Sequence, residues 1–341
     1  MKQWPQSVTA DARRTGSGVF HRSWCVARWF LFGLVATCFF IFLTAESVLA
    51  SEKAESSVPE EKSQDSFSEK NSSPRRIVSI NLCTDELLLR LVEPGRVAAL
   101  TRFSDNADVS TVWETAQGIK KTELDIESIL ACSPDLLLGG RFNNREALHF
   151  FQYTDIPVII FGVPKSFEDI YRDIRTLAEA VGEPEEGETI IRQMQTGLAE
   201  LKAEAGESRK KILLSGATQD DGKGNKRRAI FFQSGGFVPG SETFENAIME
   251  AAGLENLAAT LGIKDYGSLS LEKLIEMKPD ILIFASDQKK QPTVRGEVLA
   301  HPAIRKSLSH VKTVTLPSAT LSCGSPASVE AVRILVKETA L

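Results

Sequence analysis

From about Arg75 onward, short β-branched apolar runs alternate with longer stretches in which apolar residues recur every three or four positions. Ile77–Ile80, Val97–Leu100, Leu136–Leu138 and Val158–Phe161 read as the strands of a first unit. Ile212–Leu214, Ile230–Phe232, Ile281–Phe284 and Thr313–Leu316 repeat that order in a second. Strands that alternate with helices require parallel sheets with helices on their faces. Between the units, Glu183 to Ala205 has few breakers and carries Ile190, Ile191, Met194, Leu198 and Leu201 at helical spacing. At 1.5 Å per residue such a helix spans roughly 30 Å, enough to cross from one small domain to the next. The expected fold is α/β: two Rossmann-like lobes with parallel sheets joined by one long helix. The expected boundaries are a first lobe over 75–182, a connecting helix over 183–207 and a second lobe over 208–341.

An internal repeat supports the two lobes. Leu124-Asp-Ile-Glu-Ser-Ile-Leu-Ala-Cys-Ser-Pro-Asp-Leu-Leu-Leu138 aligns without a gap on Leu269-Ser-Leu-Glu-Lys-Leu-Ile-Glu-Met-Lys-Pro-Asp-Ile-Leu-Ile283. Glu127/Glu272, Pro134/Pro279 and Asp135/Asp280 are identical. Asp125 and Ser270 stand at matching positions as N-caps, and each proline ends its short helix ahead of a strand.

The N-terminal region has a different pattern. Arg13, Arg14, Arg22 and Arg28 precede the apolar run Trp29–Leu43, and the small-residue site Val48-Leu49-Ala50 follows. This is the layout of a secretory signal over 1–50, cleaved after Ala50, with an uncleaved membrane anchor as the other reading of the same run. Residues 51–74 are rich in Ser, Glu and Lys and nearly free of large apolar side chains, so a flexible leader is expected. The expected location is therefore outside the cytoplasm, in the periplasm.

Composition narrows the function. The formal charge is -5 across 341 residues, and no basic stripe is present, which argues against a nucleic-acid partner. The chain lacks the nucleophile elbow, zincin helix, phosphate loop and dinucleotide fingerprint, so no catalytic residues and no cofactor are expected. Ser234-Gly235-Gly236 follows a strand but has turn spacing. Cys25 and Cys38 lie in the targeting segment, leaving Cys83, Cys132 and Cys323. Export permits a disulfide among them, but spacing alone selects no pair and shows no metal site. Cys132 reads as a small buried hydrophobe.

Several segments carry a resemblance to a known family. They are Arg76-Ile-Val-Ser-Ile-Asn-Leu-Cys-Thr-Asp-Glu86, both copies of the repeat, Gly235-Gly-Phe-Val-Pro-Gly-Ser241 and Ala252-Gly-Leu-Glu-Asn256. In this order the chain resembles the periplasmic binding proteins of iron-siderophore and cobalamin ABC importers. The resemblance implies a monomer that captures a metal chelate or corrinoid between its lobes and delivers it to a permease with its ATPase subunit. It implies that Glu127 and Glu272 meet arginines of the permease, whereas the residues alone read as first-turn acids favourable to the helix dipole. It places Lys121 and Tyr266, each six residues before a repeat glutamate, in the cleft, together with Phe103, Arg141, Phe142 and Phe237. Aromatic faces suit the flanks of a large chelate, and the two cations suit its anionic oxygens. The resemblance favours a ferric siderophore or other iron complex, with cobalamin as the alternative. A membrane-anchored sensor and an α/β enzyme are the readings from other classes.

Overall fold

The computed structural model describes residues 73–143, 145–214, 226–286, 301–307 and 310–340. The expected signal segment 1–50 and nearly all of the leader 51–74 lie outside the described residues. Among those described, no helix is long and apolar enough to cross a membrane.

The N-terminal lobe runs β1 (Ile77–Ser79), α1 (Leu82–Leu91), β2 (Val97–Thr101), β3 (Lys121–Thr122), α2 (Ile126–Leu130), β4 (Leu136–Gly140), α3 (Arg145–Phe151), β5 (Val158–Phe161) and α4 (Phe167–Val181). Its strands form one parallel sheet in the order β3-β2-β1-β4-β5. After α5 (Pro184–Leu214) the C-terminal lobe adds β6 (Arg228–Phe231), β7 (Phe237–Pro239), α6 (Phe244–Ala251), β8 (Glu255–Asn256), α7 (Leu257–Thr260), β9 (Tyr266–Ser268), α8 (Leu271–Met277), β10 (Ile281–Ser286), α9 (Pro302–Ser307), β11 (Lys312–Pro317) and α10 (Ser328–Thr339). Its parallel sheet has the order β11-β10-β6-β8, and β7 pairs separately with β9 in an antiparallel ribbon. The chain is thus two α/β lobes with parallel sheets joined by one long helix.

That helix continues to Leu214, one turn and more beyond the expected end at 207, and takes up Ile212–Leu214, which the apolar pattern assigns to a strand. Three apolar residues are too short a run to distinguish strand from helix. The segment before them holds no proline, and extending a formed helix is cheap compared with nucleating one.

Side-chain alternation along the strands places the core. In β4, Leu136 and Leu138 enter one cluster while Leu137 enters another; in β10, Ile281 and Ile283 part from Leu282 and Phe284 in the same way. Period-2 alternation thus gives each sheet a private face and a second face turned to a common core. That common core runs through α1, α4, α5, α6 and α10, from Leu88 and Ile174 to Met194, Met249 and Val332. Phe167 of α4 and Phe244 of α6 meet edge to face across the two lobes, with ring centroids 5.2 Å apart. A continuous apolar core with native packing resists shear, so the lobes are joined by far more than one helix.

The repeated Pro-Asp has a structural role. The Asp135 carboxylate accepts the backbone N–H groups of Arg75 (2.7 Å) and Arg76 (2.9 Å), just before β1. Asp280 accepts that of Arg228 (2.7 Å) at the start of β6. In both lobes the arginine then reaches back to the residue ahead of the proline, Arg76 to the Ser133 carbonyl (2.9 Å) and Arg228 to the Lys278 carbonyl (2.7 Å). Ser133 and Lys278 both hold left-handed backbone, with φ of 46° and 47°. The aspartate sets the register between neighbouring strands, and the arginine closes the tight helix exit. Both N-caps form as well: Asp125 accepts from Ser128 N–H at 2.7 Å and Ser270 from Lys273 N–H at 3.2 Å.

Candidate functional site

In a parallel sheet flanked by helices, ligands bind beyond the carboxyl ends of the strands. Here those ends face each other. The first turn of α1, just after β1, is joined to the segment after β11 by a disulfide between Cys83 and Cys323, whose Cα atoms lie 5.0 Å apart and which are 240 residues apart in sequence. After β5, the Lys165 ammonium reaches Glu242 (3.3 Å) and Asp265 (3.4 Å) of the C-terminal lobe. Gly324 sits where a Cβ would overlap Pro164 and press on Ile170, so the two lobes are also in van der Waals contact beside the disulfide. A cleft between the lobes would lie beside these contacts.

On the N-terminal lobe, Phe103 follows β2 and Arg141 with Phe142 follow β4. Phe142 is 81% exposed and Phe103 42%, and the Arg102 guanidinium lies over the Phe103 ring at 5.0 Å from its centroid. The Arg141 side chain is exposed, while its backbone N–H is tied to the Phe161 carbonyl at 2.9 Å. Nearby, Asn143 donates to the Ile80 carbonyl (2.7 Å) and accepts from Gly140 N–H, which holds the β4 loop against β1.

Lys121 stands apart from these. Its ammonium donates to the Ala116 and Ile119 carbonyls, both at 2.8 Å, and lies 3.4 Å from Asp105. All three of its donors therefore have acceptors inside the lobe, and a ligand contact would have to displace one. Beneath it, Asp85 is fully buried on α1. One carboxyl oxygen accepts from Thr101 Oγ (2.5 Å) and N–H (3.2 Å), whereas Oδ1 has no hydrogen-bond partner among the described residues. Burial raises this carboxyl to about 7, against the pull of the Ser79 and Thr101 hydroxyls and of the Lys121 charge.

On the C-terminal lobe the β7–β9 ribbon presents Phe237 and Tyr266, each 53% exposed. Gly235 and Gly236 turn the chain into β7 with φ of 72° and 80°, and a Cβ at Gly236 would meet the Leu269 carbonyl at 2.7 Å. This confirms a turn at Ser234-Gly235-Gly236 and explains its glycines. The Tyr266 hydroxyl donates to the Glu245 carboxylate, 2.9 Å from each oxygen, and Gln233 donates to the same group at 3.3 Å. Burial, followed by the adjacent carboxylate, raises the phenol and keeps it protonated. Glu245 is the acceptor that anchors this wall, and no sequence motif marks it.

Glu127 and Glu272 both lie exposed in the first turn of matching helices, α2 and α8. The Glu272 carboxyl is held below the usual range by its own backbone N–H and the Ser270 hydroxyl. A concavity lined by Ser73, Arg75, Gly95 and Arg96 lies at the opposite end of the N-terminal sheet. Arg96 there is bound to the Pro74 and Val181 carbonyls and to Glu183, so it offers little to a ligand. Among the described residues no group of three His, Cys, Asp or Glu is arranged to hold a metal ion.

The fold is a two-lobed α/β protein whose lobes meet at the carboxyl ends of their strands. The chain belongs to the periplasmic binding protein family, whose model matches residues 77–313. It is 21% identical over 214 residues to a cobalamin-binding protein of Halobacterium salinarum, a match covering 62% of this chain and 54%, about half, of that relative. It is 24% identical over 224 residues to a vitamin B12-binding protein of Yersinia pseudotuberculosis, covering 64% of this chain and 72% of the relative. Among solved structures, the periplasmic heme-binding protein of Roseiflexus sp. RS-1 in apo form aligns with a TM-score of 0.62 at 22% identity, over 78% of this chain and 99% of its own.

Proposed function

We propose that this protein is the substrate-binding component of an ABC importer, capturing a ferric siderophore or another iron complex between its lobes. The observation that supports this reading is that both lobes expose aromatic side chains on segments after their strands: Phe103 and Phe142 in the N-terminal lobe, and Phe237 and Tyr266 in the C-terminal lobe. Arg141, next to Phe142, is exposed as well. Exposed aromatics in a cleft stack on flat, apolar ligand flanks, and an exposed guanidinium neutralises carboxylate or hydroxamate oxygen. The names of the curated relatives support a corrinoid as the second reading. No bound cofactor and no catalytic step are required; the ligand is cargo.

The test is a ligand panel of ferric siderophores, cyanocobalamin, cobinamide and haemin, followed by intrinsic fluorescence and melting temperature. Saturable stabilisation by one member, weakened at least about tenfold by Phe142→Ala with Tyr266→Ala, supports the reading. No response to any member returns the enzyme and sensor readings.

The same proposal has the chain exported, with its mature start near Ser51, and acting as a monomer that docks on a permease and its ATPase. Glu127 and Glu272 would present matched carboxylates, one per lobe, to basic residues of that permease. Reversing both charges is expected to abolish uptake and leave ligand affinity unchanged; loss of ligand binding in that variant would count against docking. The shared core between the lobes favours only a small closure on binding.

A further inference from the structure

We infer that the Cys83–Cys323 disulfide is a redox-operated latch on the cleft, a site for thiol–disulfide exchange with a dithiol. The bond is not a staple within one domain. It joins the first turn of α1 in one lobe to the segment ahead of α10 in the other, at the carboxyl ends of β1 and β11. Those are the edges that border the cleft.

The two sides of the interlobe contact differ in strength. Behind the cleft, α4, α5, α6 and α10 share one apolar core, which acts as the pivot. On the same side, a polar link among the described residues is the Lys165 cluster, whose side chains are half to three-quarters exposed, and exposed ion pairs hold weakly. A disulfide confines its Cα atoms to a separation of roughly 4.4–6.8 Å. With the bond closed, the first turn of α1 and the segment after β11 therefore cannot part. With it open, the back core and the contact of Gly324 with Pro164 and Ile170 remain, but the covalent limit on separation of the edges is gone.

The chemistry balances with a dithiol as the stated co-reactant. Its thiolate attacks one sulfur of the bond and forms a mixed disulfide, and the other cysteine leaves as a thiolate. The second thiol of the reagent then resolves the mixed disulfide. The chain gains two electrons and two protons as the Cys83 and Cys323 thiols, and the reagent departs as a disulfide. Cys83 is only half-buried, while Cys323 is buried and held by Ser328, whose hydroxyl donates to its carbonyl at 3.1 Å. Attack at the Cys83 sulfur is therefore the accessible route. Cys132, buried and unpaired, takes no part.

Latching rests on the cleft being the ligand site, but its primary readout does not require a ligand. Native protein is treated with excess dithiothreitol, and Cys83→Ser/Cys323→Ser is prepared alongside. Thiols at the two positions are assigned by peptide mass mapping, and amide hydrogen exchange is compared over 101–104, 141–143 and 318–325. The expected result is reduction without denaturant, a retained cooperative melt, and exchange in those segments at least about tenfold faster than in the oxidised protein, with the sheet cores unchanged. Affinity for haemin or cyanocobalamin, whichever binds the oxidised form, is expected to fall at least about tenfold.

Three results would overturn the latch: a bond that resists dithiothreitol until the protein unfolds, a reduced form that no longer melts cooperatively, or unchanged exchange at the cleft after full reduction. If neither haemin nor cyanocobalamin binds the oxidised form, the ligand assignment fails and the exchange comparison still decides the latch.

Discussion

Helix α1 of the N-terminal lobe and helix α6 of the C-terminal lobe rest on polar networks of opposite kinds. In the N-terminal lobe, α1 buries Asp85 and Glu86 completely. Asp85 is held by Thr101; Glu86 accepts Thr111 N–H at 2.8 Å and Thr111 Oγ at 3.0 Å, while Arg90 donates to the same hydroxyl at 2.8 Å. In the C-terminal lobe, α6 buries an amide instead. Asn246 accepts from Asn256 (3.0 Å) and donates to the Ser241 carbonyl (3.2 Å) and to the exposed Glu250 (3.0 Å); Asn256 also donates to the Pro239 carbonyl at 3.0 Å. Both networks tie loops at the cleft edge to a helix start. Of the two networks, only the first holds fully buried carboxyls, and burial raises that of Asp85.

Placing a charge in the amide network is the severest way to break this contrast. In Asn246→Asp the new carboxylate would face the Ser241 carbonyl and the Glu250 carboxylate with no donor in place of the lost amide. The expected cost is about 3 kcal/mol near neutral pH. Because the buried carboxyl would titrate above its unfolded value, the cost should be greatest at high pH and shrink as acid protonates it. Urea unfolding near pH 8 and pH 5 measures this; an equal loss at both would mean that geometry, not charge, governs the site.

The reverse exchange, Asp85→Asn, should make the N-terminal lobe resemble its partner. The folded protein keeps this proton up to about pH 7, whereas the unfolded chain releases it near 3.8. Unfolding therefore releases a proton between those values, and stability falls as pH rises through the window, by at most roughly 1.4 kcal/mol per unit. The substituted amide has no such proton to lose. The variant should match the parent near pH 4 and exceed it by up to about 4 kcal/mol near pH 8. A variant less stable at both would show that Asp85 is needed ionised, with Lys121 as its partner.

Much of this frame is legible from the chain. Apolar alternation in Leu136–Leu138 and Ile281–Phe284 marks strands, and the gapless repeat marks two lobes with their N-caps. The misassigned Ile212–Leu214 and the unforeseen pairs β3, β8 and β7–β9 share one cause. Each segment has two or three residues, too few for periodicity to outweigh tertiary context. The site is legible only in part. Resemblance singles out Phe142 and Tyr266, which are exposed, but nothing local marks Glu245, the Lys165 cluster or a Cys83–Cys323 bond. Those depend on chain segments tens to hundreds of residues apart that meet only when the lobes fold together.

The repeated Pro-Asp is the finest case, since its identity in both lobes is visible and its job is not. Asp135 receives two backbone donors and Asp280 one, with Arg228 adding an ion pair at 3.7 Å. Both aspartates are partly open to water, which discounts each bond. Asp135→Ala is expected to cost about 2 kcal/mol and Asp280→Ala about 1, with Asn restoring part of each because its carbonyl still accepts one N–H. Denaturant midpoints at a constant slope measure both. If Asp280→Ala costs as much as Asp135→Ala, the arginine closing the helix exit, rather than the count of backbone donors, sets strand register in this fold.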